Sequence, residues 1–466
     1  MGGAAQLFSF YQITDLHYYA ADVLNPRGDA WEYRAKYDQK CVAESGAILD
    51  AAIDKLLADR ETEVVLISGD LVSDGEKEGH HALIPKLRRL TAGGKRVYVI
   101  TATHDVAPYP PYPKTYFADR GEVQSEGLEK PKLLELYCEF GPADALSVHR
   151  ESFSYVTKIA PNIRLFALND DGVGWERGFH GYLESELQWL KAQLEEGKKS
   201  GDILLAMGHH PLLKPSPVYS PADEILGDNE KIAALLADAG VHFMFTGHTH
   251  MQNISCFDSP HGNRIFDINT ASLIGYPSPI RKMTLTEETL TVETQHIDKL
   301  NWNLGGKSYL EYSKDHFEFM LRDIFDAAAH DIRHFCEISQ GFSLPKEKAW
   351  KLRVPISAAG KLMDKLTFGK AARFLCCSKK IHPAMRDVRL CDFVIDVVRS
   401  IYAGDEPYTP DTPEYISFTA LAKPLLPILR RALKTPDPQA FIDGILYNNS
   451  DYPDNDAVLP VPKTVK

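Results

Sequence analysis

The chain has 466 residues, 44% hydrophobic and 25% charged, which is enough for a sizeable core plus a second unit and sets two or three domains as the expectation. A net charge of -12 and a pI near 5.8 argue against a nucleic-acid-binding protein, whose affinity comes from Lys and Arg on phosphates, but not against small phosphate-bearing substrates, whose charge a metal can neutralise. Seven scattered cysteines without CxxC spacing imply reduced core thiols in a cytoplasmic protein, and the absence of a leader pattern or of any run of about 18 apolar residues speaks against export and membrane spanning.

In chain order, the run Phe10 to Ile13 reads as a strand that ends in Thr14-Asp15-Leu16-His17. Glu32 to Arg60 predicts one long helix, with Cys41, Ile48, Ala52, Ile53, Leu56 and Leu57 at helical spacing. It crosses over to Val64 to Ser68, which stops at Gly69-Asp70. A helix over Glu76 to Leu90 leads through Gly93-Gly94 to Val97 to Ile100, and that strand ends in Thr101-Ala102-Thr103-His104-Asp105. This β-α-β-α-β order predicts neighbouring parallel strands.

Ala107 to Gly141, with its proline cluster, predicts a loop insertion and a short helix over Pro131 to Phe140. Its aromatics Tyr109, Tyr112, Tyr116 and Phe117 suit either stacking on a base or apolar leaving group or packing of the loop on itself. Strands follow at Phe153 to Thr157 and Ile163 to Leu168, then a helix at Glu184 to Leu194. Ile203 to Met207 ends in Gly208-His209-His210, a helix covers Asn229 to Ala239, and Val241 to Thr246 ends in Gly247-His248-Thr249-His250.

From Ile254 to Ile297 short alternating segments (Arg264 to Ile268, Lys282 to Leu285, Thr289 to Thr294) predict an antiparallel section that closes the fold. Residues after Asp298 read as helical, so a boundary at Leu300 to Lys307 separates a domain over 1–300 from an extension over 301–466, with a loosely ordered tail from Asn448. The Lys- and Arg-rich stretch Lys361 to Arg399 reads first as a solvated face and second as a patch for an anionic partner or membrane surface.

Five apolar runs thus end in Asp or His, and ligands of open α/β sheets sit beyond the carboxyl ends of strands, so the endings can share one site. Asp15 with His17, and His248 with His250, stand at i and i+2, where an extended backbone points both side chains the same way. With Asp70 and His209 they make a mixed nitrogen and oxygen set suited to Fe, Mn or Zn rather than Mg or Ca. His80, His81, His330 and His334 fall on predicted helices and are set aside; His210 is assigned to the pocket lining, and Asp170-Asp171, beyond a strand, reads first as a turn and second as facing the pocket.

The ordered blocks Asp15-Leu16-His17, Gly69-Asp70, Ala102-Thr103-His104-Asp105, Gly208-His209 and Gly247-His248-Thr249-His250 resemble, over residues 7–298, those of the calcineurin-like metallophosphoesterase superfamily, nearer to its small bacterial phosphodiesterases than to its large protein phosphatases. The resemblance implies an α/β fold, a four-layer α/β/β/α sandwich with two mixed sheets, here with an α-helical C-terminal extension that caps the site or mediates self-association as a homo-oligomer. It implies two divalent or trivalent transition-metal ions, one held by Asp15, His17, Asp70 and His250 and the other by Asp70, Thr103, His209 and His248. His104 takes the acid or phosphate-stabilising role, with Asp105 behind it favouring its charged form. The implied activity is hydrolysis of a phosphate ester, a small phosphodiester first, with a monoesterase or nuclease as the alternative. Thr103 stands where the superfamily has Asn, and its shorter, weaker donor implies a weaker second metal site; a metal-binding scaffold without turnover is the rival reading.

Overall fold

The structure is a computed structural model that describes residues 8–106, 114–117, 121–171, 180–217, 225–339, 344–432, 437–448 and 450–463. The chain divides into two units, Met1–Pro215 with Tyr219–Ser313 and Tyr452–Lys466, and Ser216–Val218 with Lys314–Asp451.

In the first unit β1 (Phe8–Ile13), β2 (Val64–Ser68) and β3 (Arg96–Ile100) run parallel and adjacent, as the crossover order requires. A hairpin, β4 (Lys114–Phe117) and β5 (Gly121–Gln124), lies outside the main sheets. Next come β6 (Ser147–His149), β7 (Ser154–Ala160), β8 (Ile163–Ala167), β9 (Ile203–Met207), β10 (Val241–Thr246), β11 (Asn253–Asp258) and β12 (Arg264–Asn269). The last are β13 (Pro279–Leu285), β14 (Thr289–His296) and β15 (Ala457–Pro460). Two mixed sheets result, one ordered β15-β14-β13-β1-β2-β3 and the other β11-β12-β10-β9-β8-β7-β6.

Alternation along the strands builds the layers. In β10, Phe243 and Phe245 join the core shared with the first sheet, whereas Met244 joins the cluster with Leu190 and Leu194 of the helix Glu184–Ser200 and Leu236 of the helix Asn229–Asp238. Leu205 and Met207 of β9 face the first cluster, and Leu204 and Ala206 the second. On the far side of the first sheet, Ile48, Ile53 and Leu56 of the helix Ser45–Ala58 and Leu83 and Leu87 of the helix Lys77–Ala92 cover β2 and β3. This arrangement is the α/β/β/α sandwich, and it turns the carboxyl ends of β1, β2, β3, β8, β9 and β10 toward one place.

Three local expectations need correction. The helix expected over Glu32 to Arg60 is two helices, Asp29–Tyr37 and Ser45–Ala58. Asp38 breaks it by turning extended (ψ 143°) and accepting the Lys40 amide at 3.0 Å, after which Lys40 bridges to Gly275. The tail is not loose: β15 pairs antiparallel with β14 and buries Leu459. Tyr116 packs beside Trp31 (5.5 Å between ring centroids), while Tyr109 and Tyr112 lie outside the described residues.

The second unit is helical. Phe393 of the helix Leu390–Ala403 packs edge-on or tilted against Phe368, Tyr408 and Phe418, with ring centroids 5.2 to 5.5 Å apart. Among the described residues no helix is long and apolar enough to cross a membrane.

Candidate metal centre

The ends of β1, β2 and β10 leave their sheets through left-handed residues: Asp15 (φ 50°), His17 (φ 36°), Asp70 (φ 49°), His248 (φ 70°) and His250 (φ 57°). Residues i and i+2 therefore converge by two left-handed turns, not by the extended backbone that their spacing suggested. Each such residue costs about 1–2 kcal/mol, least for Asp and His, whose short polar side chains bond locally. Backbone bonds hold the turns in place: Asp15 donates to Gly69 O (3.1 Å), His17 to Asp70 O (2.9 Å) and Gly247 to His209 O (2.9 Å). The glycines of the blocks are packing requirements. A Cβ on Gly69 would lie 2.8 Å from both Ala102 Cβ and His209 Nδ1, and one on Gly247 would overlap Thr14 Oγ1 and Asp15 Oδ2.

The donor atoms form three overlapping groups, Asp15 with His17 and His250, His17 with Asp70 and His104, and Asp70 with His209 and His248, each within 4.8 Å. Asp70 Oδ2 stands between the outer two, 3.6 Å from His17 Nε2 and 3.3 Å from His209 Nε2. Asp15 Oδ1 lies 3.3 Å from His250 Nε2, which is 3.1 Å from His17 Nε2, and His248 Nδ1 is 3.3 Å from His209 Nε2. Each carboxylate spends one oxygen on backbone and turns the other inward: Asp15 Oδ2 accepts the His248 amide (3.0 Å), and Asp70 Oδ1 the His104 amide (3.0 Å).

The imidazoles are oriented from behind. His209 donates Nδ1–H to Ser68 O (2.8 Å), His104 to Ser73 O (2.8 Å) and His250 to Gln39 Oε1 (2.7 Å), which leaves Nε2 of each for the donor groups. Burial opposes a charge on His209, but Asp70 first and then Asp15 hold its pKa well above the usual imidazole range, so without metal its Nε2 keeps a proton that a bound ion would replace. The set fits metal. Asp15 Oδ1 is fully buried and accepts no hydrogen bond, although its surroundings keep it charged. Burial opposes ionisation of Asp15 and Asp70, but the neighbouring imidazoles, His209 first, outweigh it and hold both well below the usual carboxylate range. Burial, reinforced by Lys40, pushes His17 down to about 3, so it stays neutral. Buried anions beside imidazole nitrogens, a mixed nitrogen and oxygen set, suit a pair of transition-metal ions.

Asp15, His17, Asp70, His209, His248 and His250 are thus brought together, with His104 at the edge beside His17 (ring centroids 4.7 Å). Thr103 is buried next to His104 on the turn after β3. Asp105 does not stand behind the His104 ring. Its oxygens accept the amides of Leu71 (2.9 Å), Val72 (3.0 Å) and Ala102 (2.9 Å), so it ties the β2 and β3 loops together, and burial pushes the His104 pKa down rather than up. His80 supports that loop from its helix, through Nε2 on Asp105 O (2.9 Å).

Two contributors escaped the sequence reading, and a third, Asp170, takes the second of the two roles it offered. Asp170 is not a turn former: Oδ2 accepts the His209 (3.0 Å) and His210 (2.8 Å) amides and Oδ1 the His210 Nδ1–H (2.8 Å). Its place just past β8, the neighbour of β9, was the available signal. Gln39 lies in the helix break, and Arg34 supports the Ser73 turn through Ser73 Oγ (2.8 Å); neither position has a pattern that marks it. His210 stacks on His180 (4.0 Å) and leans against His248 at a tilt (4.1 Å).

A family model described as calcineurin-like phosphoesterase matches residues 8–252. No curated protein matches the chain. Among solved structures it is similar to a dimetal phosphatase from Danio rerio (16% identity, TM-score 0.46, 64% of this chain and 98% of that one). It is also similar to a purple acid phosphatase from yellow lupin, Lupinus luteus, seeds (14%, TM-score 0.39, 66% and 53%) and to a putative 5'-nucleotidase from Staphylococcus aureus (13%, TM-score 0.35, 68% and 59%).

Proposed function

As a member of the calcineurin-like phosphoesterase family this chain is a metal-dependent hydrolase of phosphate esters, and we propose that its substrates are small phosphodiesters. The observation that carries the reading is the placement of His104, whose ring shares a donor group with His17 and Asp70 while its Nδ1 is held by Ser73 O. The diester preference rests on the Gly208-His209-His210-Pro211 and Gly247-His248-Thr249-His250 blocks, which resemble those of small bacterial phosphodiesterases.

We assign Asp15, His17, Asp70 and His250 to one metal and Asp70, Thr103, His209 and His248 to the other, with Fe, Mn or Zn the ions that suit these donors. A metal pair bound there supplies Lewis acidity, lowering the pKa of water and neutralising phosphoryl charge. The protein supplies orientation and proton handling. Asp70 Oδ2, between the two groups, is the shared ligand. His104 Nδ1–H is committed to Ser73 O, so Nε2 is the atom that takes up and delivers a proton, and a departing alkoxide is its natural acceptor. Asp105 and Arg34 are positioning residues, one fixing the loop and the other the carbonyl-bearing turn. Seven free cysteines support a reducing, cytoplasmic setting.

The test is kcat/KM of the metal-loaded full chain on bis-p-nitrophenyl phosphate against p-nitrophenyl phosphate. Diester preference is expected, and His104→Ala should lower kcat on an alkyl diester by about 10²–10⁴, with a smaller loss on the nitrophenyl ester, whose leaving group needs no proton. Preference for the monoester overturns the substrate class. Two bound metals without turnover of either ester leave only the scaffold.

A further inference from the structure

Between Lys361 and Arg399 some cations are consumed within the helical unit: Arg389 pairs with Asp392 (2.8 Å) and Arg399 with Glu318 (3.0 Å). Others are not. Lys370, Arg373, Lys379 and Arg386 line one cavity of about 620 Å³, where Asp387 is the sole carboxylate and Ser378 adds a hydroxyl. Lys370 Nζ reaches a carbonyl, Lys365 O (2.9 Å), while the side chains of Arg373, Lys379 and Arg386 have no ion pair or hydrogen bond among the described residues. A solvated face spreads its charges and interleaves both signs. Here four cations meet one anion around a concavity, on a chain whose net charge is -12.

Beside them stands Phe374, 80% exposed, the most exposed large apolar side chain among the described residues. It lies one helical turn from Lys370 on the helix Phe368–Phe374, so the aromatic and the cation share a face. Exposing a phenyl ring to water stabilises nothing in the fold. An aromatic set among unpaired Lys and Arg is the composition that interfacial segments present to a bilayer, the ring entering the headgroup and acyl boundary and the cations meeting lipid phosphates.

We propose that this groove docks the helical unit on a membrane surface containing anionic phospholipid, with a headgroup phosphate among Lys370, Arg373, Lys379 and Arg386 and Phe374 inserted beside it. The occupant is lipid rather than a free anion because a small soluble phosphate gives Phe374 no role. Docking of this kind is peripheral and reversible, and weakens with salt as the cations are screened.

The experiment is vesicle co-sedimentation of the full chain on phosphatidylcholine vesicles with and without phosphatidylserine, over a range of salt. Binding to the phosphatidylserine vesicles alone, falling with salt, is expected. Each groove cation contributes about fivefold, so Arg373→Ala with Arg386→Ala should weaken partitioning about 25-fold. Phe374→Ser should weaken it with the salt dependence unchanged. All three side chains are exposed, so the variants should keep the parent's circular dichroism and phosphoesterase activity. The proposal is overturned by absence of vesicle binding, by equal binding to neutral vesicles, or by full competition from soluble glycerophosphoserine at concentrations that match the lipid headgroups. Because the readout is sedimentation, it stands or falls independently of the substrate assignment.

Discussion

His250 donates its Nδ1–H to Gln39 Oε1 at 2.7 Å while its Nε2 stands 3.3 Å from the inward oxygen of Asp15, so a residue in a helix break sets the tautomer and aim of an imidazole 211 positions later in the chain. Partners of this kind fix ring orientation and ligand basicity. Gln39→Leu should therefore weaken metal binding by about 10–100-fold without disturbing the fold. Metal titration of the chelated protein, with far-ultraviolet circular dichroism as the control, measures this. Unchanged affinity would show that the bond is incidental.

Asp170 holds two successive amides on one carboxylate oxygen and the His210 ring on the other. Asn can offer its single carbonyl oxygen to only one of these sets and faces the other with an amide donor. Asp170→Asn should lower stability by about 1–3 kcal/mol and move His209 out of line. Urea unfolding of the chelated protein reads the first effect, and loss of metal affinity the second. A variant that binds metal normally would mean that Asp170 shapes only the loop.

The glycines of the blocks make a sharper prediction. A Cβ at Gly247 would overlap Thr14 Oγ1 and Asp15 Oδ2, so Gly247→Ala should displace the Asp15 carboxylate and abolish binding at its group. Gly46 is the matched control: a Cβ there would meet only Tyr18 Cε2 at 3.7 Å, and the residue lies in a helix, so Gly46→Ala should keep metal affinity and gain about 0.5–1 kcal/mol. Equal metal affinity in both variants would remove the packing explanation for the Gly-His block.

Thr103 bears on the second group. Its hydroxyl is a shorter and weaker neutral donor than the amide oxygen usual in the superfamily, so Thr103→Asn should tighten the second metal by about tenfold and leave the first unchanged. Calorimetric titration with Mn should then change from two unequal sites to two closer ones. Two equally tight sites in the unaltered chain would contradict this account.

The ligands were legible because their strands are continuous apolar runs buried on both faces, and such runs stop visibly at Asp or His. What lay hidden has physical causes. The spacing of Asp15 with His17 and of His248 with His250 is the same for extended and left-handed backbone, so their turns could not be read from it. Cys41, in the non-helical stretch between the two helices, happens to keep helical spacing with Ile48, which concealed the break and with it Gln39. Asp105 stands next to His104 in the chain, yet the turn after β3 sends its carboxylate to the Leu71 and Val72 amides instead. The strand Ala457–Pro460 is too short to show alternation, and pairing with β14 alone makes it a strand.

Away from the metals, Glu186 gives the first unit a pH dependence that can be isolated. It sits in the first turn of the helix Glu184–Ser200, where its side chain accepts the Leu183 amide (3.3 Å) and the Ser154 hydroxyl. Burial pushes its carboxyl up to about 7, against the hydrogen bond from Ser154. The unfolded value is about 4.3, so between these values the folded chain holds a proton that the unfolded chain has lost. The contribution of Glu186 to stability is therefore fully favourable below the lower value, falls as pH rises through the window, and is lower by roughly 4 kcal/mol above about pH 7. Glu186→Gln keeps an oxygen for the Leu183 amide and never ionises, so it should unfold at similar urea to the parent near pH 4 and be the more stable protein at pH 8. Unfolding both chelated proteins at these two pH values measures the difference. A gap that does not widen with pH would show that Glu186 is not the group that titrates.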